Sequence, residues 1–199
     1  MLDVLFLVAQ AYLAVIGLYQ FSLSLFGLVR KRKTVEHPPR KSFAVLVAAH
    51  NEEAVIGALV ENLLKLNYPR ELYDIFVICD NCTDSTVEVV RSYEGVYACE
   101  RHNLNQRGKG YAVEWMLKEL WKMPRSYDGV VIFDADNLVA TDFLDYMNND
   151  LCNGVKVVQG YLDTKNPSDS WVSSANAINY WFCNRLWQLP RYNLGLSNF

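Results

Sequence analysis

The sequence has no excess of basic residues and few histidines, which bind metals through nitrogen. Its 19 lysines and arginines stand against 22 aspartates and glutamates, which gives a net charge of -3. No broad basic surface for nucleic acid is therefore predicted. The three histidines, His37, His50 and His102, lie far apart in the sequence. We expect neither a nucleic-acid partner nor a histidine-based metal site.

Cysteine is also scarce. Five cysteines are an odd number, and a chain predicted to be cytosolic is expected to keep them as reduced thiols. Cys79 and Cys82 do spell CxxC. However, Cys79 ends a predicted strand instead of opening a helix, and no second ligand pair follows at zinc-site spacing. We expect no redox or zinc chemistry there.

Charged residues are missing from positions 4–29. As a helix with a rise of about 1.5 Å per residue, this stretch would exceed a hydrocarbon core of about 30 Å. It predicts a transmembrane helix over residues 1–29, with a signal peptide or a buried core helix as the alternatives. Asp3 and the length of the apolar run argue against a cleaved signal peptide.

Basic residues follow this helix directly, at Arg30–Lys33. By the positive-inside tendency they place the rest of the chain in the cytoplasm, as a single-pass protein of the cell membrane. Residues 30–41, which include Pro38 and Pro39, are predicted to be a linker. Residues 42–199 are predicted to form a globular domain.

Strand and helix patterns alternate through that domain. Apolar strands are predicted over residues 43–49, 73–79, 96–99, 129–133 and 155–160. Helices are predicted to begin near Asn51, Asp84 or Ser85, Lys109 and Thr141, with Asn51 as an N-cap and Glu52 and Glu53 in the first turn. Apolar strands separated by helices predict an α/β fold with a parallel sheet that is covered on both faces.

Polar residues follow three of these strands at their carboxyl ends, where open α/β sheets bind ligands. The three loops are Ala49–Glu53, Asp80–Asp84 and Asp134–Asn137. Asp134 and Asp136 follow a strand that we predict to be buried. Two carboxylates at this spacing can hold Mg2+ or Mn2+, and such an ion takes phosphate oxygens as further ligands. The pattern predicts a diphosphate substrate.

Lys109 lies between two glycines, Gly108 and Gly110. The glycines allow the backbone to approach a ligand, and the lysine can pair with phosphate. The pattern GxxxxGK[ST] is absent, so this is not a P-loop.

In order and spacing these motifs resemble the family 2 glycosyltransferases with a GT-A fold. The resemblance is to membrane-anchored bacterial members, related to the cellulose, hyaluronan and poly-N-acetylglucosamine synthases. It implies a Rossmann-like, mostly parallel sheet with helices on both faces. It also implies an inverting transfer from a nucleotide-diphosphate sugar, a UDP-sugar, to a glycan or lipid-linked acceptor, which extends a polysaccharide or glycolipid of the cell surface.

The resemblance implies roles for individual residues. Glu52 and Asp80 would contact the uridine, Lys109 the diphosphate and Asp134 the ribose or the donor. Asp136 would hold the metal, Mg2+ or Mn2+, together with Asp134. The implied nucleotide-sugar site comprises Ala49, Asn51, Glu52, Asp80, Lys109, Asp134, Ala135, Asp136 and Gln159.

Two features of the family pattern do not occur before Phe199: the later carboxylate that acts as general base and the Gln-x-x-Arg-Trp motif of processive members. We therefore expect the domain to be truncated at its C-terminal end and the 199-residue chain to bind donor without transferring sugar. A non-catalytic module for nucleotide-sugar binding or membrane assembly is one alternative. A haloacid-dehalogenase-like phosphatase is another alternative, although such a phosphatase has threonine near the position where this chain has Leu138.

Overall fold

The computed structural model describes residues 2–28 and 35–196. Its contacts divide the chain into two compact units. One is Thr34–Val158, here called the sheet unit, and the other joins Met1–Lys33 to Gln159–Phe199 and is called the helical unit. The strands are β1 (Phe43–Ala49), β2 (Tyr73–Asp80), β3 (Val96–Arg101) and β4 (Gly129–Asp134). The helices are α1 (Leu2–Leu25), α2 (Ile56–Leu64), α3 (Thr86–Arg91), α4 (Lys109–Leu120), α5 (Phe143–Cys152), α6 (Trp171–Phe182) and α7 (Leu189–Asn193), with a 3-10 turn at Arg70–Leu72 and a π-helix at Cys183–Gln188.

The sheet unit is built on four parallel strands in the order β3-β2-β1-β4. Side chains alternate between the two faces of a strand, and both faces of β1 are covered. Val45 and Val47 belong to a core that includes residues of α2, α3 and α5, whereas Ala44 and Leu46 pack with residues of α4. The prediction of an α/β fold with helices on both faces is confirmed.

Strand β4 differs from its prediction as a buried strand. Within the described residues it pairs with β1 alone, and Val130 and Ile132 are 44% and 45% exposed. Val131 and Phe133, on the other face, pack against the core. A run of apolar residues cannot tell an edge strand from a central one, because the neighbouring strand is chosen by contacts far away in sequence.

The predicted fifth strand over residues 155–160 is wrong: none of these residues is in a strand. The chain first closes the end of α5, where Gly154 has φ +86° and the Val155 amide donates to the Asp150 carbonyl at 3.0 Å. Beyond that turn Val157 is exposed and Val158 packs against the core. An extended segment becomes a strand only when another strand accepts its hydrogen bonds.

The predicted cap of the first helix after β1 is also wrong. Helix α2 begins at Ile56, and its N-cap is Val55. Asn51 has φ +57°, a left-handed conformation that asparagine tolerates better than most residues. Its side-chain oxygen accepts a hydrogen bond from the Thr83 amide at 2.8 Å. Asn51 therefore joins two loops, and Glu52 and Glu53 lie before the helix.

A buried amide fastens the segment that leads into β1. Asn148, fully buried on α5, accepts hydrogen bonds from the amides of Arg40 and Lys41 at 3.2 and 3.1 Å. Its side-chain nitrogen donates to the carbonyls of His37 and Pro38 at 3.1 and 3.2 Å. Because both ends of the amide are satisfied, its burial costs little.

In the helical unit, α1 has 24 residues. Most of its described side chains are exposed, and Leu23 is buried. Helix α6 begins after the N-cap Ser170, whose hydroxyl accepts from the Ser173 amide at 3.1 Å. The π-helix and α7 then lie against the end of α1, where the Asn193 side chain donates to the Phe26 carbonyl at 2.9 Å.

Candidate functional site

The candidate site lies at the carboxyl edge of the sheet, next to its topological switch point. From β1 the chain proceeds to β2 and β3 on one side, and later returns as β4 on the other side of β1. In open α/β sheets ligands bind outside the strand ends at such a point. The loops after β1 and β4 therefore border the crevice, and eight of the nine predicted site residues belong to this unit. They are Ala49, Asn51, Glu52, Asp80, Lys109, Asp134, Ala135 and Asp136.

The loops after β1 and β2 are held together by hydrogen bonds. Besides the bond from Thr83 to Asn51, the Glu52 amide donates to the Thr86 hydroxyl at 2.8 Å. The His50 ring nitrogen Nδ1 lies 2.6 Å from the Asp80 carbonyl oxygen. These bonds leave the Glu52 carboxylate, which is half-buried, without a protein partner among the described residues. It is available to a ligand.

Asp84 stabilises this pair of loops. Its Oδ1 accepts from the amide and the hydroxyl of Thr86 at 3.1 and 2.6 Å, and its Oδ2 accepts from the Glu53 amide at 3.2 Å. Desolvation acts to raise the pKa of Asp84, but these hydrogen bonds to the ionised form outweigh it and hold the pKa below its usual value. Asp84 is thus satisfied by the protein.

A buried ion pair connects the ends of β2 and β3. Asp80 Oδ1 lies 2.6 Å from Arg101 Nη1, and their side chains are 8% and 4% exposed. Arg101 also donates to the Gln106 carbonyl at 2.9 Å, and Asn81 donates to Asp80 Oδ1 at 3.0 Å. Both contacts to Asp80 engage one oxygen, Oδ1. The Asp80 carboxylate is therefore fixed in position through this oxygen.

Arg101 was not among the residues predicted from sequence. Its alignment with Asp80 comes from the parallel register, in which these two residues are directly paired. The signal that could have identified it is weak: opposite charges at the same end of two apolar strands. That signal is usable only when the two strands are known to be neighbours.

A second ion pair joins the start of α4 to the end of β4. Lys109 Nζ lies 2.5 Å from Asp134 Oδ1, and the two side chains are 47% and 56% exposed. Lys109 is the first residue of α4 and follows Gly108, whose φ is +107°. Since exposed ion pairs add little to stability, this lysine is placed to exchange partners with an anionic ligand at small cost.

The loop after β4 turns the two aspartates and the residue between them in different directions. The Asn137 side chain accepts from the Asp134 amide at 3.0 Å, and the Asn137 amide donates to the Asp134 carbonyl at 3.1 Å. Ala135 is buried in the core, whereas Asp136 is exposed. The Asn137 side-chain nitrogen Nδ2 lies 3.5 Å from Asp136 Oδ1. The Asp136 carboxylate is free to bind a ligand.

This donor set suits only one type of metal site. Within residues 2–28 and 35–196, no group of three or more histidine, cysteine, aspartate or glutamate side chains is arranged to hold an ion. The site offers two carboxylates, one of them paired with Lys109. Mg2+ is usually bound through one or two carboxylates together with substrate phosphates and water. The residues therefore fit an ion that is shared with a diphosphate and do not form a closed protein cage.

Several features lie apart from this site. Gln159, the ninth predicted residue, is exposed at the start of the helical unit, and its role remains a prediction. A cavity of about 610 Å3 runs beside β4 and the turn at Gly154, but none of the predicted site residues lines it.

The two cysteines of the CxxC sequence are not reactive thiols. Burial raises the pKa of Cys79 to about 12 and also raises the pKa of Cys82, so neither thiol is ionised near neutral pH.

Comparison with known proteins decides the family. Residues 38–187 match the family described as "Glycosyltransferase like family 2". The chain belongs to this family. A mannosyltransferase from Pyrobaculum calidifontis, solved in complex with GDP-Man and Mn2+, superimposes with a TM-score of 0.58 and 23% identity over 83% of this chain and 47% of that one. The fold of this family 2 chain is thus the GT-A fold, as predicted.

Curated relatives match between about half and two thirds of the chain. A β-monoglucosyldiacylglycerol synthase from a Nostoc species is 37% identical over 106 residues, which is 51% of this chain and 21% of the relative. A poly-β-1,6-N-acetyl-D-glucosamine synthase of Staphylococcus aureus is 26% identical over 133 residues, which is 65% of this chain and 30% of the relative. The family 2 chain therefore spans between a fifth and a third of the length of these two enzymes.

Proposed function

We propose that this family 2 glycosyltransferase chain binds a UDP-sugar and contributes to an inverting transfer that extends a glycolipid or polysaccharide at the membrane. The observation that carries the proposal is the cluster at the switch point of the sheet. There, Asp136 is unengaged and Asp134 is paired with an exposed lysine that can exchange partners. The names of the two curated relatives, a glycolipid synthase and a polysaccharide synthase, support the class of acceptor.

The nucleotide base is recognised at the ends of β1 and β2. The second oxygen of Asp80 and the carboxylate of Glu52 are acceptors that suit the imide N–H of uracil and the ribose hydroxyls. Arg101 and Asn81 hold Asp80 through Oδ1, so the acceptor is positioned before the donor binds. Ala49 and Asn51 contribute the backbone and the loop geometry of this half of the site.

The diphosphate is held at the ends of β4 and α4. Asp136, with Asp134, would hold Mg2+ or Mn2+, which supplies charge that stabilises the departing diphosphate. Lys109 exchanges its contact with Asp134 for one with a phosphate oxygen, and Asp134 then becomes available to the donor. The general base that activates the acceptor hydroxyl stays unassigned, and the inactivity of the 199-residue chain by itself stays a prediction.

We expect the purified chain to bind UDP-hexoses only when Mg2+ or Mn2+ is present, measured by equilibrium dialysis with labelled donor. Glu52→Gln keeps the shape of the side chain and removes a charge that pairs with no described protein group, and we expect it to weaken binding about tenfold, or about 1.4 kcal/mol. Glu94→Gln, at an exposed turn before β3, is the control and should bind normally. Binding that is unaffected by EDTA, or equal for UDP- and ADP-sugars, would contradict the proposal.

We also propose that α1 spans the membrane. Its 24 residues extend about 36 Å at about 1.5 Å per residue, enough for a hydrocarbon core of about 30 Å. The candidate span Asp3–Leu25 is long and apolar enough to cross a membrane, and apart from Leu23 near its end few of its side chains are covered by the protein. The basic residues at 30–33 indicate that the sheet unit lies in the cytoplasm.

Cysteine labelling tests this orientation. Glu36→Cys, at an exposed position after the basic residues, should resist a membrane-impermeant maleimide in intact cells and react once the cells are permeabilised. Asp3→Cys, at the other end of α1, is the matched control and should react in intact cells. The native cysteines all follow Glu36 in the sequence and should be protected with it. Labelling of Glu36→Cys before permeabilisation would show that the proposed orientation of α1 is wrong.

A further inference from the structure

The stretch from Ser170 to Leu196, here called the α6–α7 segment, has an unusual composition. It contains no aspartate, glutamate or lysine, and its two charged residues are Arg185 and Arg191. It also contains three of the five tryptophans of the chain. Tryptophan and tyrosine are enriched where a membrane meets water, and arginine is attracted to anionic lipids. The composition thus resembles that of a helix that lies on a membrane surface.

Helix α6 has an apolar face that the protein leaves uncovered. Trp171, Ala175, Ile178 and Phe182 are spaced at i, i+4, i+7 and i+11, which places them on one side of a helix. Trp171 and Ile178 are 82% and 67% exposed, and no residue of α6 is buried. The opposite side carries Ser173, Asn176 and Tyr180. A monomeric protein in water rarely exposes such a face without a partner.

The segment is joined to the end of α1 by a contact that requires glycine. A β-carbon added at Gly27 would lie 2.4 Å from the Arg185 carbonyl oxygen and 3.2 Å from Pro190 Cγ. Such distances mean that the π-helix and α7 approach the backbone of α1 directly. Together with the bond from Asn193 to Phe26, this contact places the segment beside the same end of α1 that precedes the basic residues at 30–33.

We propose that the α6–α7 segment lies along the cytoplasmic surface of the bilayer, with the apolar face of α6 at the boundary between headgroups and acyl chains. The occupant of that face is lipid, because the segment is attached to the cytoplasmic end of the helix that spans the membrane. Arg185 and Arg191 face anionic headgroups, and the Arg191 guanidinium lies 4.6 Å from the centre of the Trp187 ring. The inference rests on the proposed membrane span of α1 and adds a second membrane contact to it.

Quenching of tryptophan fluorescence by brominated lipid tests the proposal in the full chain. One variant keeps Trp171, Trp181 and Trp187 and carries phenylalanine at the other two tryptophans. Its vesicles contain phosphatidylglycerol with bromine either near the headgroup end or near the methyl end of the acyl chain. We expect the shallow bromines to remove roughly half of the emission and the deep ones much less, because an interfacial helix lies about 5–10 Å into this boundary.

The matched control keeps Trp115 and Trp121, which both belong to the sheet unit, and it should show little quenching at either depth. Equal quenching of the two variants, or no quenching of the first, would overturn the proposal. Stronger quenching by the deep bromines would overturn it too, because the segment would then cross the bilayer. Protection of α6 by a protein partner would appear as absent quenching.

Two glycines separate the contact at α1 from a general effect on that helix. Gly27→Ala should reduce the shallow quenching, because the added methyl group displaces Arg185, whereas Gly17→Ala, with no atom within 4 Å of its added carbon, should leave it unchanged. Equal quenching in the two variants would contradict the role of the contact at Gly27.

A spin label at Gly17→Cys reports whether α1 lies in hydrocarbon. A label in water would overturn the membrane span and this inference together, whereas a label in hydrocarbon without shallow tryptophan quenching would overturn this inference alone.

Discussion

Asp136→Ala is expected to lower sugar transfer by about 1,000-fold or more, the upper range for loss of one electrostatic contact to a transition state. Asp136 is exposed, and among the described residues its carboxylate has one hydrogen-bond contact, with the Asn137 side-chain nitrogen at 3.5 Å, so the loss would come from the reaction and not from unfolding. Without this carboxylate the bound ion has one protein ligand left, and the departing diphosphate loses its main counter-charge. The measurement is transfer from labelled UDP-sugar in membranes that contain an intact enzyme with its general base, because the 199-residue chain by itself is expected to bind the donor without transferring sugar.

The control for this experiment is Asp142→Ala. Asp142 is exposed, lies six residues further along and makes no side-chain cap to α5, so its variant should keep near-normal transfer. Asp136→Asn provides a second comparison, because it retains an oxygen ligand but loses the charge. If sugar transfer by Asp136→Asn depended on Mn2+ or Mg2+ as it does in the unaltered enzyme, the assignment of Asp136 as a metal ligand would be wrong.

Arg101→Ala is expected to destabilise the sheet unit by about 3–5 kcal/mol, the cost of leaving one partner of a buried ion pair uncompensated. The Asp80 side chain is 8% exposed in the unaltered protein. Within the described part of the chain, Asn81 would be its one remaining side-chain donor. The prediction is checked by urea unfolding, followed through a signal from the sheet unit. Donor binding should fall as well, because Asp80 is no longer held in place.

Arg91→Ala is the matched control for the charge. Arg91 pairs with Glu100, which neighbours Arg101 on β3, but this pair lies at the surface, where ion pairs contribute about 0.2–1 kcal/mol. The double substitution Asp80→Asn with Arg101→Met should recover part of the lost stability, since neither charge is then buried alone. If Arg101→Ala cost no more than Arg91→Ala, the pair would not be the element that positions Asp80.

The local pattern of the sequence was sufficient to predict four strands, the helices between them and the convergence of three polar loops on one edge. This succeeded because apolar period, capping and chain direction are local properties, and parallel strands joined by helices place all their carboxyl ends on one side. The family resemblance then added the roles of Glu52, Asp80, Lys109, Asp134 and Asp136, none of which follows from periodicity.

Contacts between distant residues decided the rest. Arg101 meets Asp80 only because β2 and β3 are neighbours in a particular register. Asn51 is left-handed because its side chain is taken by Thr83 in another loop, and local capping rules cannot anticipate that competition.

By itself, then, the sequence determined the α/β class, the apolar stretch at the N-terminus and the convergence of three polar loops on one edge of the sheet, because each depends on residues close together in the chain. The tertiary structure decided that β4 is half exposed, that residues 155–160 form no strand within the described chain, and that α7 lies against Gly27, just after the end of α1. These outcomes depend on which segment supplies a hydrogen-bond partner or a packing surface. That choice is made by the free energy of the whole fold and not by any one stretch of sequence.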